Sequence, residues 1–183
     1  ISRLTAKGER FHGVKQTTQF VVGASNETDA QLVTYSGALY KKLGVQRIYF
    51  SAYQRGLGAS GVPGEHSTIT NTDLLTREHR LYQTDWLLRK YGFSPEEVPF
   101  GPDGSLSLTH DPKEVWANQH PEFFPVDVNR ASKWDLLRVP GLGPVMVNRI
   151  IKCRKDGGSM KRISELGRVG KVLGKAEKYV KFS

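Results

Sequence analysis

The chain has 183 residues, 38% of them apolar and 25% charged, enough to bury a core and too apolar for gross disorder. No run of residues approaches the length of a membrane-spanning helix, and the N-terminus lacks the basic-then-apolar order of a secretory leader. The single cysteine, Cys153, excludes an internal disulfide and a multi-cysteine metal site within the chain, and a cytoplasmic protein is the plain expectation. The net charge of +9 is unevenly held: residues 129–183 carry 14 Lys/Arg against 4 Asp/Glu, whereas residues 1–128 carry 13 against 14. A polyanionic partner for the last third, most often nucleic acid, accounts for that asymmetry, although a solvated lysine-rich surface produces the same count.

QTTQFVV (16–22) reads as a short strand rich in β-branched residues. A helix follows over AQLVTYSGALYKKLG (30–44), with Thr28 or Asp29 to cap it and Gly44 to end it. QRIYFSAY (46–53) is a second strand, and the βαβ order makes the two strands parallel neighbours. Two strands are few for a buried parallel sheet, so the first half is expected to be part of a larger α/β domain, with exposed strand edges prone to self-association. Residues 54–73, rich in Gly, Ser and Thr, form a loop.

An amphipathic helix is predicted through Leu74, Leu81, Tyr82, Leu88 and Tyr91, ending near Gly92, with His79 and Asp85 on its polar face. Ser94 is a candidate cap for a short turn. DPKEVWANQHP (111–121) is a brief helix closed by Pro121, and FFPVDVN an extended segment that pins two phenylalanines into a core. The histidines show no zinc spacing, and the chain has neither a nucleophile elbow nor a Walker loop.

LLRVPGLGPVMVNRIIKCRK (136–155) carries the functional signal. Ser132, with Asp135 three positions on, caps a first helix whose apolar face is Leu136 and Leu137. Pro140-Gly141-Leu142-Gly143 makes a corner, Leu142 plugs the core, and Pro144 opens a second helix with Val147, Ile150 and Ile151 on one side. Glycine at 141 and 143 permits close approach, and the amides at the corner and helix start lack intrahelical partners. The helix dipole adds positive potential, so the bend is suited to a backbone phosphate, with Asn148, Arg149 and Lys152 nearby. A shift of 29 residues superimposes Leu137 on Leu166, Gly141 on Gly170, Val147 on Ala176, Ile150 on Tyr179 and Ile151 on Val180, which implies a second, paired helix–turn–helix unit.

The stretch VNRASKWDLLRVPGLGPVMVNRIIKCRK resembles the helix-hairpin-helix module. That resemblance implies DNA binding without sequence preference through Gly141, Leu142, Gly143 and Val145, helped by Asn148, Arg149 and Lys152. It also implies a monovalent cation on the carbonyls of Leu137, Val139 and Leu142. In the second copy, GRVGKVLGKAEKYV, Gly170 stands where Gly141 does and Val172 replaces the second glycine, which points to a more structural hairpin with Lys171 and Lys175 near a backbone. A protein-interaction scaffold that docks a repair partner, with no direct DNA contact, is the alternative.

TTQFVVGASNETDAQL, RIYFSAY, and REHRLYQTDWLLRKYGF followed by HPEFFPVDVNRAS, in this order before the hairpin, are similar to the C-terminal part of DNA modification/repair radical S-adenosylmethionine proteins, over roughly residues 15–182. The resemblance implies a full-length radical enzyme with S-adenosylmethionine and a four-iron cluster on a CxxxCxxC loop that this chain lacks. No cofactor is then expected in this chain, no catalytic residue stands out in it, and the other barrel half is a partner. Gly23 and Glu27 in VVGASNET, with the backbone of Tyr49, Phe50 and Ser51, match the cofactor's adenine site loosely; Glu27 equally favours a helix N-terminus. The expected fold is α/β followed by all-α. Residues 1–73 form a βαβ segment of a partial barrel with its loop, 74–128 a helical connecting region, and 129–183 a tandem helix-hairpin-helix domain.

Overall fold

A computed structural model describes residues 3–5, 7–167 and 170–183. It has two compact units, Ile1–Leu88 with Phe93–Pro112, and Arg89–Gly92 with Lys113–Ser183. The connecting region expected over 74–128 is divided between these two units. Its long helix belongs largely to the first unit, and its last residues build the second.

In the first unit, β1 (Thr17–Val22) and β2 (Arg47–Ala52) pair in parallel, Thr17 opposite Arg47 and Val22 opposite Ala52. Between them runs α1 (Asp29–Leu43). Thr28 caps it in a reciprocal box with Gln31, and Gly44 ends it in the left-handed conformation at φ 62°. The long helix α2 (Asn71–Lys90) follows the loop. Val22, Ile48 and Phe50 from the sheet meet Leu32 and Val33 of α1 and Leu81 of α2 in one core. On the other face of the sheet Val21 and Tyr49 are exposed.

A buried ion pair fixes this packing. Asp29 is 1% exposed; its Oδ1 accepts from Arg77 Nε at 2.5 Å and its Oδ2 from the Leu106 amide at 2.8 Å. Arg77 also donates to the Glu27 carbonyl at 2.7 Å. The start of α1, the middle of α2 and the 104–106 turn are thus joined by charge-assisted bonds, and removing either partner would strand a buried charge. Asp85 is buried and accepts from the Tyr40 hydroxyl, as a packed polar face predicts.

The two sheet edges differ. On β2 the outward amides are capped by side chains: Ile48 by the Tyr40 hydroxyl at 3.1 Å, Phe50 by the Tyr82 hydroxyl at 3.1 Å, and Ala52 by Glu78 at 2.7 Å. The Tyr82 hydroxyl also donates to the Phe50 carbonyl at 2.9 Å. The register leaves the amides of Thr17, Gln19 and Val21 facing away from β2, and they find no acceptor among the described residues. The expectation of exposed edges therefore holds for β1 and fails for β2, where α1 and α2 supply the missing partners.

Glu65 organises the loop after β2, accepting from the Tyr53 hydroxyl at 2.5 Å and from the amides of Gly56 and Gly58. The Tyr53 bond, then the Gly56 amide, hold its carboxyl below the ordinary value of 4.5. A depressed carboxylate pKa stabilises the fold above the unfolded value and loses that contribution as pH falls through the folded one.

In the second unit, α3 (Pro112–Gln119) leads into β3 (Val126–Asp127), α4 (Lys133–Arg138) and α5 (Pro144–Lys155). Short α6 (Lys171–Gly174) and β4 (Val180–Lys181) complete it. β4 pairs in parallel with β3, Val126 opposite Val180. Phe123 and Phe124 pack edge-on against Trp116, and Phe124 also meets Tyr179. Asn129 clamps Met160 in both directions, at 2.9 Å to its carbonyl and 2.8 Å from its amide.

Two measurements check these assignments. In hydrogen exchange, the amides of Ile48, Phe50 and Ala52 should be protected while those of Thr17, Gln19 and Val21 exchange rapidly, and Tyr82→Phe should deprotect Phe50 and cost about 1–3 kcal/mol in urea unfolding. Proteolysis within residues 54–66 should accelerate as pH drops below 4.5, and Glu65→Gln should remove that pH dependence.

Candidate nucleic-acid interface

The α4–α5 corner forms as its sequence dictates. Ser132 Oγ accepts the Asp135 amide at 3.2 Å while Asp135 Oδ2 accepts the Ser132 amide at 3.1 Å. Leu136, Leu137, Val139 and Leu142 are buried, as are Val147 and Ile150 of α5, while Ile151 is only half-buried. Pro144 stands at the first position of α5 behind Gly143, which caps the helix without a side chain.

The amides of Gly141, Gly143, Val145 and Met146 have no acceptor among the described residues. The Leu142 amide differs from its neighbours: it donates to the Val139 carbonyl at 3.1 Å. Leu142 is also 1% exposed, and its carbonyl accepts from Lys113 Nζ at 2.6 Å. Leu142 is therefore the plug of the corner, with its amide and its carbonyl both engaged within the fold. Of the three carbonyls proposed for a cation, those of Leu142 and Val139 are already engaged, the first by an ammonium.

The two glycines do different work. Gly141 has φ +86°, and a Cβ there would lie 2.3 Å from the Val172 carbonyl oxygen and 3.1 Å from the Ala176 amide nitrogen. It is the point where the second hairpin presses on the first. Gly143 has φ −106°, open to any residue, and a Cβ would meet only the Tyr91 hydroxyl at 3.5 Å. The fold does not require glycine at 143.

The second hairpin follows a different register from the expected one. Gly170 precedes α6 with φ −105° and ψ −177°, close to the φ −106° and ψ 173° of Gly143 before α5. Gly170 is thus the counterpart of Gly143, not of Gly141, and Val172 takes the place of Val145. The remaining residues of that turn, Arg168 and Val169, lie outside the described residues.

The expected cations divide into two groups. Arg149 donates to the Leu166 carbonyl and straps α5 to the second hairpin, and Lys175 pairs with Glu114 at 2.7 Å. Both are partly committed within the fold. Lys152 and Lys171 are exposed with no partner among the described residues, and Asn148 is exposed on α5. Sequence reasoning passed over Lys113 entirely. It lies 29 residues before Leu142 in a separate helix, and no local pattern announces the contact.

The five residues matched to a cofactor site lie on β2 and just beyond β1, two strands that pair directly. Gly23 and Glu27 line a crevice of about 680 Å³ at the carboxyl end of β1, and Ser51 lines another of about 480 Å³. Phe50 is buried against Phe20 and Tyr82. Glu27 is turned onto the Gly23 amide at 3.0 Å and onto Ser25. One cysteine cannot supply a three-thiolate cluster. No group of His, Cys, Asp and Glu among the described residues is arranged to hold a metal, and no helix among them is long and apolar enough to cross a membrane.

The family model of the helix-hairpin-helix motif matches residues 123–177. No curated protein and no solved structure matches the chain. The C-terminal unit thus carries a helix-hairpin-helix motif, a class generally associated with nucleic-acid binding.

Separate effects are expected at the two glycines. Gly141→Ala should lower stability by about 2 kcal/mol or more, from backbone strain and a clash with rigid main chain, whereas Gly143→Ala should stay within about 1 kcal/mol of the parent in urea or thermal unfolding.

Proposed function

We propose that the C-terminal unit binds duplex DNA through its sugar–phosphate backbone without sequence preference. The observation that carries this reading is the row of amides at Gly141, Gly143, Val145 and Met146 that have no acceptor among the described residues, beside a glycine that the fold itself does not need. Such amides and the dipole of the twelve-residue α5 form a complementary seat for a phosphate oxygen. Lys152, Lys171 and the free face of Arg149 add positive potential, while Asn148 offers a neutral donor. Amide–phosphate bonds carry no base information, which accounts for the indifference to sequence.

The proposal extends to the whole protein as a DNA modification/repair enzyme of the radical S-adenosylmethionine type, of which this chain is a C-terminal part. The order of the sequence motifs supports it, and so does the asymmetry of the sheet. A capped β2 suits the last strand of a larger sheet, and an open β1 suits a strand that receives a neighbour. The cluster would have to come from outside this chain, and no chemical step is assigned to its residues. An upstream CxxxCxxC loop in the reading frame supports this extension, and a natural start at Ile1 counts against it.

Docking of a protein partner is a second reading, favoured by Val145 and Val172, both 70% exposed beside their helix starts, and by exposed Trp134. Fluorescence anisotropy separates the two. With roughly three to five phosphates contacted, log K should fall against log salt with a slope of about −2.7 to −4.5 for unrelated duplex sequences. Lys152→Ala should reduce that slope by about one, and Gly143→Ala should weaken binding with little change in Tm. Absence of duplex binding at low salt removes the reading.

A further inference from the structure

We infer that Lys113 is a positioning residue that aims and polarises the Gly143 amide; this deepens the phosphate-binding reading and rests on it. The residue is 6% exposed, an unusual burial for an ammonium. Its Nζ donates to the Leu142 carbonyl at 2.6 Å and stands 4.5 Å from the centre of the Tyr91 ring. Tyr91 is itself tied to the corner, its hydroxyl lying 3.5 Å from where a Gly143 Cβ would be. A cation taken out of water and held by a carbonyl dipole and a ring face interacts far more strongly than it would at the surface.

The consequence follows from peptide geometry. The Leu142 carbonyl and the Gly143 N–H belong to one planar trans unit and point in opposite directions. The Leu142 carbonyl is fixed on Lys113, which holds this peptide plane from its oxygen side, and the Leu142 amide, in the preceding peptide unit, is fixed on Val139 at 3.1 Å, so the planes on either side of the Leu142 Cα are each held by one bond. With the oxygen drawn toward the buried ammonium, the Gly143 hydrogen faces away from it. Charge on the oxygen also withdraws electron density from the nitrogen and makes the N–H a stronger donor. The ammonium acts on the phosphate through the peptide, without touching it.

The test uses the full chain with the variants Lys113→Met, Lys113→Gln and Lys113→Arg, read by duplex anisotropy across a salt series and by amide NMR. Lys113→Met should bind at least tenfold more weakly at low salt with an unchanged salt slope, because a buried ammonium releases no counterion from DNA. The Gly143 resonance should shift selectively, and Lys113→Arg should recover part of the affinity. Should Lys113→Met fail to fold, Lys113→Gln, which keeps a neutral donor for the carbonyl, should show an intermediate loss with the same slope. Parental affinity in the uncharged variants overturns the inference, as does a slope reduced by about one, which would mean direct phosphate contact. If the parent chain binds no duplex, the phosphate-binding reading itself fails, and this role for Lys113 fails with it.

Discussion

A helix cannot satisfy its own first amides, and the second unit is arranged around that deficit. At α1 a side chain meets it, through the reciprocal bonds of Thr28 and Gln31. At α4, Ser132 and Asp135 do the same. At α5 the cap is Gly143, which has no side chain to offer, and the donors of Gly143, Val145 and Met146 remain without internal acceptors among the described residues. An unmet donor is costly when buried and tolerable when water reaches it. Such a bend is therefore stable only at the surface, where a ligand can exchange with water.

Much of the local structure was legible in the sequence because its determinants are local. Thr28 and Gly44 delimit α1, Ser132 and Asp135 start α4, and Pro144 opens α5, each a consequence of backbone chemistry within a few residues. The parallel pairing of β1 and β2 follows from the helix between them. What sequence could not supply depends on contacts across the chain. Arg149 faces the second hairpin because that hairpin places the Leu166 carbonyl beside it. Apolar spacing favoured a repeat of 29 residues, yet the matching backbone angles at Gly143 and Gly170 decide the register. Hydrophobic periodicity reports which faces are buried, and it does not report where a turn begins.

The first unit shows how side chains can close a small sheet. Tyr40, Tyr82 and Glu78 occupy every outward amide of β2 in the strand's even-numbered row. The same helices cover one face of the sheet and leave Val21 and Tyr49 on the other. Closure at one edge with exposure at the other gives the unit a direction, so growth of the sheet is permitted only beside β1. The crevice at the carboxyl end of β1 lies where open α/β sheets commonly receive ligands.

The pairing of β3 with β4 has a mechanical consequence. Because the strands run parallel, a pull applied to the unit's entry and exit would slide Val126 past Val180 instead of peeling them apart. Val128 and Asn129 add bonds to Lys181 and Ser183 along the same line. Those bonds would have to yield together, whereas an antiparallel closure would open one rung at a time. A load carried through the chain would thus be met across this seam.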